Sequence, residues 1–282
     1  MKSFLVVTFG CLLAFGSTTV EAESPSNGRF VWTSDGNDHD SDDILGNAVM
    51  LSIIAANGAQ KSMPVLIYAD HIWETKEQEK DMLETIQETI DLWGGFEHLE
   101  IYNAYREEQN NPGLENAAVQ AMVREINKST EANPLTIATA GPNQIVVEAL
   151  RAADPDKLPF ITVVGHGVST FNDNHGGARH GGYKYQDLVA TGVKIVKLAN
   201  QNGRIKYPDE PTRFKIEFDE VSHWEDHENA CLRLLWQRGQ KARSDYFDGS
   251  DAGIAWWYYM GQDEDGNFDK LEEFILESLS DR

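Results

Sequence analysis

Six side chains able to bind a cation or carry a proton crowd into one short stretch, Ser34 to Gly46. It reads SDGNDHDSDDILG and holds Asp35, Asp38, His39, Asp40, Asp42 and Asp43. Two unit charges ~4 Å apart interact with roughly 4 kcal/mol at an effective dielectric of ~20. A turn this acidic folds if it splays into water, takes up protons, or closes around a hard cation. Its position favours the cation. It leads from a strand-like apolar run, Phe30-Val31-Trp32, into a helix-like run, Ile44 to Ala56, and open α/β sheets bind ligands in the crevice at the carboxyl ends of their strands. An EF-hand is excluded: counted from Asp38, the sharp-turn glycine position holds Asp43 and the closing glutamate position holds Val49. Asp263 to Phe274 fails in the same way. Further ligands must come from elsewhere in the chain.

The elements that would position such a loop follow from periodicity. After the helix Ile44 to Ala56, stopped by Asn57-Gly58, short apolar runs predict strands at Pro64 to Ala69, Leu99 to Tyr102, Leu135 to Ala140, Phe160 to Val164 and Val193 to Leu198. Between and after them, amphipathic runs predict helices at Thr75 to Trp93, Asn116 to Ser129, Gln144 to Ala153, Val221 to Arg243 and Phe268 to Leu279. Nearly continuous apolar strands alternating with helices indicate an α/β fold, a mostly parallel sheet flanked by helices. No internal repeat or low-complexity linker interrupts it, so a single domain over residues 23–282 is expected. Chemistry should then sit on the loops after the strands: Asp35 to Asp43, Asp70-His71, Thr139 to Asn143, and Gly165 to His180. Phe171 to Gly182 (FNDNHGGARHGG) reads either as a cap over a site or as a surface excursion. Asp251, at the mouth of the apolar segment Ile254 to Met260, reads as a helix cap or as a ligand. Trp224 and Trp236 are expected in the core rather than as a sugar platform.

Compartment and partners are bounded by the ends and the charge. Lys2, the apolar run Phe4 to Phe15 and Val20-Glu21-Ala22 read as a secretory signal over residues 1–22, so a secreted or periplasmic protein is expected. That run is shorter than the ~20 residues that span a bilayer, and no membrane anchor is expected. Without the leader, Cys231 is the only cysteine, which excludes an internal disulfide. A net charge of -22 opposes nucleic acid and acidic membranes. Partners are expected to be a small sugar-containing substrate or a glycan, with a homo-oligomer left open.

Together these pieces resemble the nucleoside hydrolase superfamily, in particular its divergent members with a secretion signal. Asp40-Ser41-Asp42-Asp43 ahead of a helix resembles the family's N-terminal aspartate cluster. Ile137 to Asn143 through Leu158 to Gly165 resembles its central strand, Gly-Pro turn, helix, Asp-Pro stop and next strand. Ser250-Asp251 resembles its late aspartate. The resemblance implies a calcium ion (Ca2+) held by Asp35, Asp40, Asp43, the carbonyl of Thr139 (or of Ala138) and Asp251. It implies Asp40 as general base, with Asp38 or Asp35 as alternatives because the cluster is compressed. Asp42, Asn172, Asn174 and His175 would contact substrate. Where typical members carry a histidine before the late aspartate, this chain has Ser250; His166, His175, His180 and His223 are candidate replacements. The implied activity is calcium-dependent hydrolysis of N-glycosidic bonds in nucleoside-like substrates, with water as nucleophile and an oxocarbenium-like transition state that carboxylates stabilise. An O-glycoside or polysaccharide hydrolase, a non-catalytic calcium-dependent carbohydrate-binding protein and a purely structural calcium site are the alternatives.

Overall fold

The computed structural model describes residues 28–35, 41–70, 78–105, 110–166, 182–201, 214–241, 245–261 and 266–280. The proposed leader lies outside them. Six parallel strands form the main sheet: β1 (Arg29–Ser34), β2 (Val65–Tyr68), β3 (Glu100–Asn103), β4 (Leu135–Ala140), β5 (Ile161–Gly165) and β6 (Lys194–Lys197), in the order β3-β2-β1-β4-β5-β6. Parallel strands need crossover connections, and helices between them cover both faces. The expected α/β class holds, and the strand positions agree with the apolar runs to within two residues.

Alternation along the strands divides the core in two. Phe30, Trp32, Leu66, Tyr68, Ala138, Ala140 and Val164 face one layer, while Val31, Val65, Ile67, Leu135, Ile137 and Val163 face the other. The first layer packs on α1 (Ser41–Ala56), α2 (Gln78–Trp93), α6 (Ala230–Gly239), α7 (Gly253–Met260) and α8 (Phe268–Ser280). The second packs on α3 (Ala117–Asn127), α4 (Gln144–Ala152) and α5 (Tyr185–Val189). Helix α1 has no polar face: Ile44 to Ala55 is apolar but for Gly46, Asn47 and Ser52 and is buried throughout. A helix apolar all round belongs in the interior, and α2, α6, α7 and α8 enclose it. The helix that carries the acidic residues at its start is therefore anchored along its whole length.

Two late regions depart from expectation. A continuous helix from Val221 to Arg243 is not formed; 3-10 turns over Phe218–Trp224 give way to α6. Asn229 is the cause. Its backbone is extended, and its side-chain oxygen accepts from the N–H groups of Cys231 (2.8 Å) and Leu232 (3.3 Å), which starts a new helix instead of continuing the old one. The antiparallel pair β7 (Lys215–Ile216) and β8 (Phe247–Asp248) is too short to leave a periodic signal. Trp224 is fully buried and meets Phe247 and Phe268 edge-on at 5.8 and 5.7 Å, so it is core; Trp236 is half-buried and stacks on Phe247.

Cys231 is buried beside Ser52, whose hydroxyl accepts from the indole of Trp93. Burial pushes its thiol up to about 11, and thiolate is the reactive form. Iodoacetamide at pH 8 is accordingly expected to leave Cys231 of the native protein unmodified and to alkylate it once denatured. Peptide mapping that finds comparable modification in both states would contradict this burial.

Candidate functional site

Strand order reverses between β1 and β4, and the crevice at such a switch point is where open α/β sheets take ligands. Asp35 leaves β1 at this point. Its backbone N–H donates to the Ala140 carbonyl at 3.3 Å, at the end of β4, and the N–H of Asp70, after β2, donates to the Ser34 carbonyl at 3.0 Å. Between β2 and Asp70, Ala69 adopts φ 58, a left-handed conformation that costs an L-residue ~1–2 kcal/mol. Gly141 follows β4 at φ 146. A Cβ there would lie 2.4 Å from Asp35 Oδ1 and 2.9 Å from Asp35 N, so the turn has room for glycine only.

Asp43 sits in the first turn of α1, and its backbone carbonyl is held by Asn47. The Asn47 carboxamide donates to the Asp43 carbonyl and, at 3.3 Å, to Ser34 Oγ, and it accepts from Trp32 Nε1 at 3.0 Å. One buried amide thus ties the start of α1 to β1. Asp251 arrives from the far end of the chain on a 3-10 turn, Ser250–Ala252, that runs into α7. Gly46 of α1 lets it approach, since a Cβ at Gly46 would meet Asp251 Cβ at 3.3 Å.

These elements bring Asp35, Asp43 and Asp251 together. Each offers a carboxylate oxygen, all within 4.8 Å of one another, and the residues are only 5, 1 and 4% exposed. At ~5 Å and an effective dielectric of ~20, each pair of ionised carboxylates repels by about 3 kcal/mol. The positive end of the α1 macrodipole offsets part of this, by about 0.3–1 kcal/mol per charge and somewhat more when partly buried. A cation held between them would offset the rest. An all-oxygen, anionic, buried donor set suits a hard ion such as calcium, which takes 6–8 oxygens, better than a metal that prefers imidazole or thiolate. The residues present therefore fit the implied group.

Of the other expected site residues, Asp42 is 9% exposed and its Oδ2 accepts from Ser250 Oγ at 3.2 Å. Ser250, where the resemblance leads to the expectation of an imidazole, links the start of α1 to the turn that carries Asp251. Its own N–H donates to Asp248 Oδ1 at 3.1 Å. Thr139 is buried in β4, level with Thr33 and Gly165, and its hydroxyl points to the Gly141 and Pro142 carbonyls and to Asn143 Oδ1 at 3.3–3.4 Å. Asp38, Asp40, Asn172, Asn174, His175 and His180 lie outside the described residues. His223 is at the surface, bonded to Glu272. His166 directly follows β5, and its Nε2 is 2.8 Å from Asp251 Oδ1. Its place at a strand end is visible in the sequence; its partner, 85 residues on, is not. Gln201, buried against Gly253 at the start of α7, has no sequence signal at all.

No family model matches the chain. It is 26% identical over 258 residues to an uncharacterized protein of Formosa agariphila, across 86% of this chain and 87% of that protein. Among solved structures it is similar to an inosine-uridine preferring nucleoside hydrolase from Bacillus anthracis, with a TM-score of 0.53 and 13% identity, over 89% of this chain and 98% of the other. At that identity the similarity is one of fold, and the fold is nucleoside-hydrolase-like.

Proposed function

We propose that this chain is a secreted, calcium-dependent glycosidase that hydrolyses N-glycosidic bonds of nucleoside-like substrates with water as the nucleophile. The observation that carries the reading is the buried triad Asp35, Asp43 and Asp251 at the switch point of a nucleoside-hydrolase-like sheet. Asp35, Asp43 and Asp251, with Asp40 and the Thr139 carbonyl, would hold the cation. When bound, it supplies positive charge that polarises the attacking water and grips sugar hydroxyls.

The chain's own groups do the rest. Asp40 takes a proton from the water as its oxygen attacks the anomeric carbon, the C–N bond to the base breaks with its electron pair going to the base nitrogen, and the departing base takes up a proton from solvent. Asp42 accepts from a sugar hydroxyl, and Asn172, Asn174 and His175 orient the substrate. The ring of carboxylates stabilises the positive charge that develops on the sugar. A net charge of -22 is compatible with a neutral nucleoside and opposes polyanions. No helix among the described residues is long and apolar enough to cross a membrane.

One observation favours a second reading, hydrolysis of O-glycosides. Ser250, next to Asp251, offers a hydroxyl directed to Asp42 rather than an imidazole able to protonate a departing base. Pooled purine and pyrimidine ribonucleosides, assayed for reducing sugar with calcium and then with chelator, separate the two. Calcium-dependent release that falls by at least ~100-fold in Asp40→Asn, the scale of a lost general base, is expected. Release from oligosaccharides alone would transfer the assignment to O-glycosides.

A further inference from the structure

His166 is the described residue that most directly extends this site. It is 4% exposed, follows β5 without a break, and contacts Asp251 through Nε2 at 2.8 Å. An ionised carboxylate only accepts, so Nε2 carries the proton and donates it. In the neutral ring Nδ1 is then a bare acceptor, and Nδ1 is buried with no hydrogen-bond partner among the described residues. The imidazole therefore has one strong bond among them, and it goes to a member of the triad.

We propose that His166 is a positioning residue for the cation site: by donating from Nε2 to Oδ1 it fixes the rotation of the Asp251 carboxylate and leaves the other oxygen to the cation. Ligand carboxylates are commonly oriented by such a partner behind them, and losing the partner typically costs 10–100-fold in metal affinity. The proposal rests on the reading of the triad as a cation site. It also separates His166 from the leaving-group role considered for it, because the proton on Nε2 is engaged by Asp251 and not directed at a departing base.

Glutamine and asparagine distinguish positioning from packing, since both carry the same carboxamide and only one has the reach. The amide nitrogen of glutamine falls where Nε2 stands; that of asparagine falls near Nδ1, short of Asp251. The full chain, stripped with chelator, is titrated calorimetrically with calcium as wild type, His166→Gln and His166→Asn, and each is melted in chelator. His166→Gln is expected to bind within ~3-fold of wild type and His166→Asn to bind ~10–100-fold more weakly. His166→Leu, which fills the space without a donor, is expected to match asparagine and serves if that variant does not fold. Equal affinities in all variants, or equal weakening by Gln and Asn, would overturn the positioning role while the triad reading stands. Absence of calcium binding by the wild type would overturn both.

Discussion

Gly141→Ala is expected to abolish calcium binding although residue 141 offers no ligand. At φ 146 an L-side chain is strained whatever space surrounds it, by about 1–3 kcal/mol. The added methyl would lie 2.4 Å from Asp35 Oδ1 and 2.9 Å from Asp35 N. The second contact is decisive. A side chain can swing away, but the Asp35 N–H is held by the Ala140 carbonyl, so relief requires β1 and β4 to part at the switch point. With overpacking typically costing another 1–3 kcal/mol, a total loss of about 2–6 kcal/mol is expected in urea unfolding, with no calcium-induced rise in melting temperature. An alanine variant that melts like the wild type and still responds to calcium would show that Asp35 is not held where the structure places it.

Asp43→Asn is expected to invert its rank against the wild type when calcium replaces chelator. In chelator the substitution removes two of the three repulsive pairs among Asp35, Asp43 and Asp251, each worth about 3 kcal/mol if both partners are ionised. It gives up a helix N-terminal charge worth ~0.3–1 kcal/mol. The variant should therefore melt above the wild type without metal. A ligand at about 100 times its dissociation constant adds ~2.7 kcal/mol, which for a domain of this size is a rise of about 5–10 °C. The wild type should gain that increment and the Asp43→Asn variant should not. Equal increments in both proteins would place the ion away from Asp43; a variant less stable under both conditions would mean that Asp43 serves the fold alone.

The sheet is legible in the sequence because β1, β2, β4 and β5 each contain a short apolar run, and α1 because it has no polar face for solvent. Local chemistry explains what is not. Asn229 captures two backbone N–H groups and divides a segment whose hydrophobic period continues through it. Strands β7 and β8, two residues each, have no period to detect. In the site, Asp35, Asp43 and Asp251 each stand out by residue type and position, but their approach to within 4.8 Å depends on Gly46 and Gly141, whose missing side chains make the room. Ser250 stands out in the sequence only against the resemblance, which implies a histidine there; that its hydroxyl bonds Asp42 is not legible. Among the four candidate histidines, chain order does not single out His166, because its contact with Asp251 joins the end of β5 to the turn before α7.

The most direct test of the cation site is a crystal of the chain grown with calcium and examined for anomalous scattering. One strong peak is expected, with carboxylate oxygens of Asp35, Asp43 and Asp251 at ~2.3–2.6 Å, the range of calcium–oxygen bonds. A peak held by other residues, or no peak at saturating calcium with the three carboxylates bonded instead to a lysine or arginine, would contradict it.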